Sequence, residues 1–128
     1  MASLRDNGTQ LYLWLTSDSD ITNLIDEIEG SPAILVSNML HEEYQSLTLI
    51  QIYRLSTIGA QDINPVTYTV NCRSSTDLKA DKLAQAVYDS INRKLSDDKM
   101  AKCNVYKCIY EDDNHYNTPI DVVMYNNL

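Results

Sequence analysis

The side chains with the greatest chemical potential are three cysteines, two histidines and a short acidic run near the end of the chain. Cys103, Cys108 and His115, together with His41, offer thiolate and imidazole donors of the kind zinc takes. Their spacing argues against that use. Cys108 follows Cys103 by five positions, which in a strand turns the two to opposite sides of a sheet, and no C-x-x-C turn brings two thiolates together. They read as core cysteines and surface histidines. With Cys72 the cysteines number three and cannot all pair within one chain, so reduced thiols packed as small hydrophobes are expected.

Glu111, Asp112, Asp113 and His115 could hold a divalent cation or serve as acid and base. Adjacent carboxylates at a chain reversal point apart into water, however, and no lysine follows at nuclease-like spacing. The run reads as a solvated turn, and any contact it makes would be with a basic partner surface. Gly8, Gly30 and Gly59 are isolated, so there is no glycine-rich phosphate loop, and neither G-x-S-x-G nor H-E-x-x-H occurs. No catalytic residue, metal ligand or cofactor is assigned, and an enzyme is not expected.

The remaining candidates are polar positions on a strand. Val66, Tyr68, Val70 and Cys72 alternate with Thr67, Thr69, Asn71 and Arg73, the pattern of a strand with one core face and one wet face. The polar side reads either as an open sheet face or as a surface that docks on a neighbouring subunit, with Arg73 as an anchor. Thr67, Thr69, Asn71 and Arg73, with Glu111, Asp112, Asp113 and Tyr116, form the candidate subunit interface.

Charge favours protein partners over nucleic acid. The formal net charge is -8. Residues 1–72 hold two basic and nine acidic side chains, residues 73–107 eight and five, and residues 108–128 none and four. A free-standing nucleic-acid binder needs basic charge to displace counterions from phosphate. The uneven spread fits a polar subunit whose acidic and basic surfaces meet those of its neighbours. Nine tyrosines, one tryptophan and no phenylalanine also suit surfaces that are covered part of the time.

The elements that must position these residues follow from periodicity. Leu11, Leu13, Trp14 and Leu15 predict a short first helix. Ile21, Leu24, Ile25 and Ile28, after Asp20 as N-cap, predict a second that ends at Gly30 to Pro32. Strands are expected over 33–39, 48–56 and 66–72, with 57–65 a loop or a hairpin tip. Ser75 or Thr76 caps a third helix with Leu83, Ala84, Val87, Ile91 and Leu95 on one side, closed by residues 97–99. Residues 104–110 and 118–125 form a final hairpin about the acidic tip 111–116. At 128 residues this is one soluble α+β domain, with an antiparallel or mixed sheet of about five strands and helices packed on one face. No stretch is long and apolar enough to span a bilayer, no secretory leader is recognised, and the protein is expected to stay where it is made.

This order of segments resembles the tail terminator and tail completion proteins of long-tailed bacteriophages. The likeness rests on a strand beside a proline (SPAILVSN), a polar alternating strand (NPVTYTVNCRS) leading directly into a helix (TDLKADKLAQAVYDSINRKL), and a closing hairpin (YKCIYEDDNHYNTPIDVVMYN). The resemblance implies a homo-oligomeric ring, usually a hexamer, in the virion at the head-proximal end of the tail, assembled in the host cytoplasm. Its partners would be copies of itself, the tail tube protein and a head-tail connector protein, with viral DNA passing through the ring without specific binding and no membrane involved. Two other expectations stand beside it: a small-ligand-binding or regulatory module, and a metal-dependent hydrolase using the acidic tip.

Overall fold

A computed structural model describes residues 4–37, 40, 42–54, 65–96, 99–112 and 115–126; of residues 4–7, 54, 112 and 126 it describes the backbone alone. Strands β3 (Ile34–Val36), β4 (Leu49–Arg54), β5 (Val66–Ser74), β6 (Leu95–Ser96), β7 (Lys99–Val105), β8 (Ile109–Asp112) and β9 (His115–Asn126) form one sheet. Its order is β3-β4-β5-β9-β7-β6, with β8 also on β9. All pairs are antiparallel except β3 with β4, so the sheet is mixed, as the segment order predicts. It has seven strands among the described residues rather than about five.

The extra strands come from interruptions that periodicity does not register. Residues 104–110 do not form one strand, because β7 ends at Val105 and β8 begins at Ile109. Val105 lies opposite Ile120 and Ile109 opposite Asn117, so β7 and β8 advance four residues where β9 advances three. The extra residue falls in the break at 106–108, where Tyr106 still donates its N–H to the Pro119 carbonyl at 2.9 Å, and a second irregularity follows between Tyr110 and Asp112.

Helix α1 (Leu4–Thr16) buries Leu11, Trp14 and Leu15 but leaves Leu13 outside. Gly8 allows its close approach to the sheet: a β-carbon there would stand 3.2 Å from the Tyr68 hydroxyl. The second expected helix is a correction. Only α2 (Ser19–Thr22) forms, capped by Asp18, and residues 27–32 make a hairpin of β1 (Glu27–Ile28) and β2 (Ser31–Pro32). Glu29 and Gly30 take positive φ in its turn. The competing term is tertiary: Asp26 accepts from the Thr48 N–H at its carboxylate and donates its own N–H to the Thr48 carbonyl, which ties the segment to the start of β4. Ile21 and Ile25 still reach the core, while Leu24 is exposed.

Helix α3 (Asp77–Ile91) matches its periodicity most closely. Thr76 caps it by accepting from the Lys79 N–H at 3.2 Å, and Ala80, Leu83, Ala84, Val87 and Ile91 are buried. It stops earlier than expected, at Asn92 and the left-handed Arg93, so Leu95 lies in β6 and is exposed instead of on the helix face. Both long helices pack on one side of the sheet, against Ile50, Ile52, Val66, Val70, Ile120, Val122 and Met124. Thr118 pins α3 to β9 by donating to Asp81 at 2.7 Å.

Candidate functional site

The face away from the helices carries most of the residues proposed for contact with neighbours. Register places Gln51 on β4 opposite Asn71 on β5, with Arg73 and Asn117 one step along the same face. Asn117 donates to Asn71 Oδ1 at 3.0 Å, and Asn71 donates to Gln51 Oε1 at 3.3 Å. The same Gln51 oxygen accepts from Arg73 Nε at 3.0 Å. Gln51, Asn71 and Asn117 are 1%, 4% and 5% exposed.

The expectation of a wet face is therefore corrected at Thr69 and Asn71, which are both buried, while Thr67 is half-buried. The physical reason is that the amides bond to one another across three strands, which offsets part of the cost of desolvation, although the buried Asn117 Oδ1 has no hydrogen-bond partner. Burial lowers the pKa of the Arg73 guanidinium from its ordinary value, and Arg73 forms an ion pair with Glu111 of β8. Further along, Asp121 accepts from Thr69 Oγ1 at 3.4 Å and from the Tyr106 hydroxyl at 2.8 Å.

Of the eight candidate interface residues, the fold brings Arg73 and Glu111 together. Tyr116, half-buried, packs edge-on against Tyr110 with ring centroids 5.1 Å apart. Asp112 lies in β8, and Asp113 falls outside the described residues, as do the turn it was expected to form and residues 55–64 of the expected loop. Glu111 and Tyr116 belong to the strands of the final hairpin, so its tip is narrower than 111–116. Gln51, Asn117 and Asp121 were not singled out by sequence. A lone amide among Leu49, Ile50 and Ile52 was the available signal for Gln51, since a polar residue inside an apolar run needs a partner.

The cysteines are core groups in two of three cases. Cys72 and Cys103 are buried, and burial raises both thiols, Cys103 to about 12. Protonated thiols are poor nucleophiles and poor metal ligands. Cys108 sits in the break between β7 and β8 rather than in a strand, so the argument from opposite sheet faces does not apply to it. Among the described residues no three His, Cys, Asp or Glu side chains gather to hold a metal ion, and no helix is long and apolar enough to cross a membrane.

The sheet's two edges differ. Along β7 and β8, Val105, Tyr106, Ile109 and Tyr110 are 44%, 50%, 51% and 54% exposed. A crevice of about 350 Å³, open to solvent, lies between α3 and β7 and is lined by Gln85, Tyr88, Cys103, Asn104 and Val105. On the opposite edge Val36 of β3 is 69% exposed. In a 3₁₀ turn (Glu42–Tyr44), the Glu43 carboxylate, then burial and the Glu29 carboxylate of the β1–β2 turn, push the Tyr44 phenol above its ordinary pKa. No protein-family model matches the chain, and no curated protein matches it.

Proposed function

We propose that this chain is a structural protein of a long-tailed bacteriophage. It forms a ring at the head-proximal end of the tail tube, ends tube polymerisation and provides the surface that joins tail to head. The observation that carries this reading is the order of elements within one mixed sheet. A short strand beside Pro32 precedes the polar strand β5, β5 runs almost directly into α3, and the β8–β9 hairpin closes the sheet. That order follows the segments on which the resemblance to tail terminator proteins rests. The side chains add support of a chemical kind, because Gln51, Asn71, Arg73 and Asn117 are hydrogen-bonded to one another across the sheet, as suits a building block.

Such a protein needs one surface for its own copies and others for the tube and the head-tail connector. A heterologous contact closes into a ring when its rotation permits, six copies being the usual number in the resembling family. Net acidity would also let DNA slide through without sticking. The test is mass in solution, electron microscopy of the purified protein, and addition to polymerising tail tube protein. Rings with a central hole that stop tube growth are expected. A chain that stays monomeric and leaves tube length unchanged defeats the reading.

A further inference from the structure

We infer that β8 is a latched strap. It covers the outer edge of β9 at residues 115–117, opens there while the rest of the sheet stays folded, and is held shut by the ion pair between Arg73 and Glu111. The inference concerns this hairpin alone and does not rest on the ring reading above.

The argument starts from how little backbone fastens β8. It meets β9 at three registered positions, Ile109 with Asn117, Tyr110 with Tyr116 and Asp112 with His115, and an irregularity interrupts them after Tyr110. Among the described residues it pairs with no other strand. The nine residues of β5, by contrast, lie between β4 and β9 and are paired along their whole length with β9. Before β8 the chain is fastened twice at Tyr106, whose N–H donates to the Pro119 carbonyl and whose hydroxyl donates to Asp121 at 2.8 Å. A movement of β8 can therefore pivot at 107–108 and leave β7 in place. A short strand paired on one side only is the kind of segment that opens locally, ahead of global unfolding.

Side chains decide how readily it does so. Ile109 and Tyr110 are 51% and 54% exposed, so opening returns little further apolar surface to water. Asn117, directly opposite Ile109, donates through Nδ2 to Asn71 of β5, which turns its Oδ1 away from that strand. This buried oxygen has no hydrogen-bond partner, and unpairing β8 would let water reach it. Against these stand the edge-on contact of Tyr110 with Tyr116 and the pair of Arg73 with Glu111, which reaches across β9 from β5 to β8. The Arg73 side chain is 12% exposed and that of Glu111 38%. Gln51 Oε1 holds Arg73 from behind by accepting from Nε at 3.0 Å, so the guanidinium is the fixed post and the carboxylate the part that moves. Opening strips a largely buried cation of its counter-charge, and that makes the pair the latch. A bare strand edge is a ready template for another strand, so the latch controls when β9 can accept one between His115 and Asn117.

Hydrogen exchange under native conditions, followed amide by amide, tests this. In wild type the protected amides of Ile109–Asp112 should exchange through an opening almost independent of low denaturant, well ahead of those at 70–72 in β5, which wait for global unfolding. Glu111→Gln keeps the side chain's size and the bond from Arg73 to Gln51 but removes the charge, and it should speed exchange from β8 about three- to tenfold. Added salt should speed wild type in the same direction and the variant less. Glu27→Gln, which removes an exposed carboxylate from the β1–β2 hairpin, should leave β8 unchanged. If β8 and the centre of β5 share one denaturant-dependent opening in wild type, the strap does not move separately and the inference falls. It falls equally if Glu111→Gln leaves exchange from β8 as it was, or if Glu27→Gln speeds it as much.

Discussion

Both faces of the sheet bury side chains, but by different means. On the helix side, Ile50, Ile52, Val70, Ile120 and Val122 meet Leu83, Val87, Leu11 and Leu15. Apolar contact has no direction and scales with area, so this face tolerates change in proportion to the volume lost. On the other side, Gln51, Asn71 and Asn117 are buried through bonds that each specify a partner, and the lattice ends at a charged pair, Arg73 with Glu111. There the cost of a change depends on who is left without a partner. The helix side should supply stability, and the amide side should fix the register of β4, β5 and β9.

The largest expected effect breaks the first half of that contrast. Leu83 is fully buried under α3, and Leu83→Ala should cost about 2–5 kcal/mol of unfolding free energy, read from denaturant titration. A cost below about 1 kcal/mol would show that the helix is not close-packed on the sheet. The second effect sharpens the other half. Asn71→Ala removes the acceptor of Asn117 and the amide donor to Gln51, and should cost about 1–3 kcal/mol. Asn71→Leu combined with Asn117→Leu should then cost less than the sum of the two singles, since each single strands a partner that the pair removes. Strict additivity would mean that the amides act separately.

How much of this was readable beforehand follows the same division. The apolar alternation of β5 and the stripe of α3 were legible because a core face repeats with the period of its element: Val66, Tyr68, Val70 and Cys72 are all buried, as are Leu83, Val87 and Ile91. The polar positions of the same strand misled, because alternation reports only which side faces the helices. It is silent on whether Thr69 and Asn71 meet water or another strand, and that depends on Gln51 and Asn117, 20 and 46 positions away from Asn71. The false helix over 21–28 has a related cause. Ile21, Leu24, Ile25 and Ile28 have the right spacing, yet the ties from Asp26 to Thr48 span 22 positions and outweigh local preference. The candidate interface shared this limit: Arg73 and Glu111 were both named, but only the pairing of β5 and β8 with β9 makes them partners.

The smallest effect probes the outer end of the polar face by pH. The Tyr106 hydroxyl donates to Asp121, and this hydrogen bond, reinforced by the carboxylate's charge, raises the phenol's pKa above its ordinary 10.0. An acid whose folded pKa is raised favours the folded state while it stays protonated. Its contribution is therefore fully present below pH 10.0 and is lost as pH rises through the higher folded value. Tyr106→Phe removes the titrating group, so wild type should lose more stability than the variant on crossing that alkaline window, while the two should run parallel near neutrality. Tyr106 is exposed and the difference will be slight, so the sensitive readout is absorbance titration of the tyrosinates, in which the variant lacks one late-ionising component. If that component persists in Tyr106→Phe, the bond to Asp121 does not hold the phenol. The polar face would then end at the buried amides, and the exposed residues at Tyr106 would belong wholly to the edge.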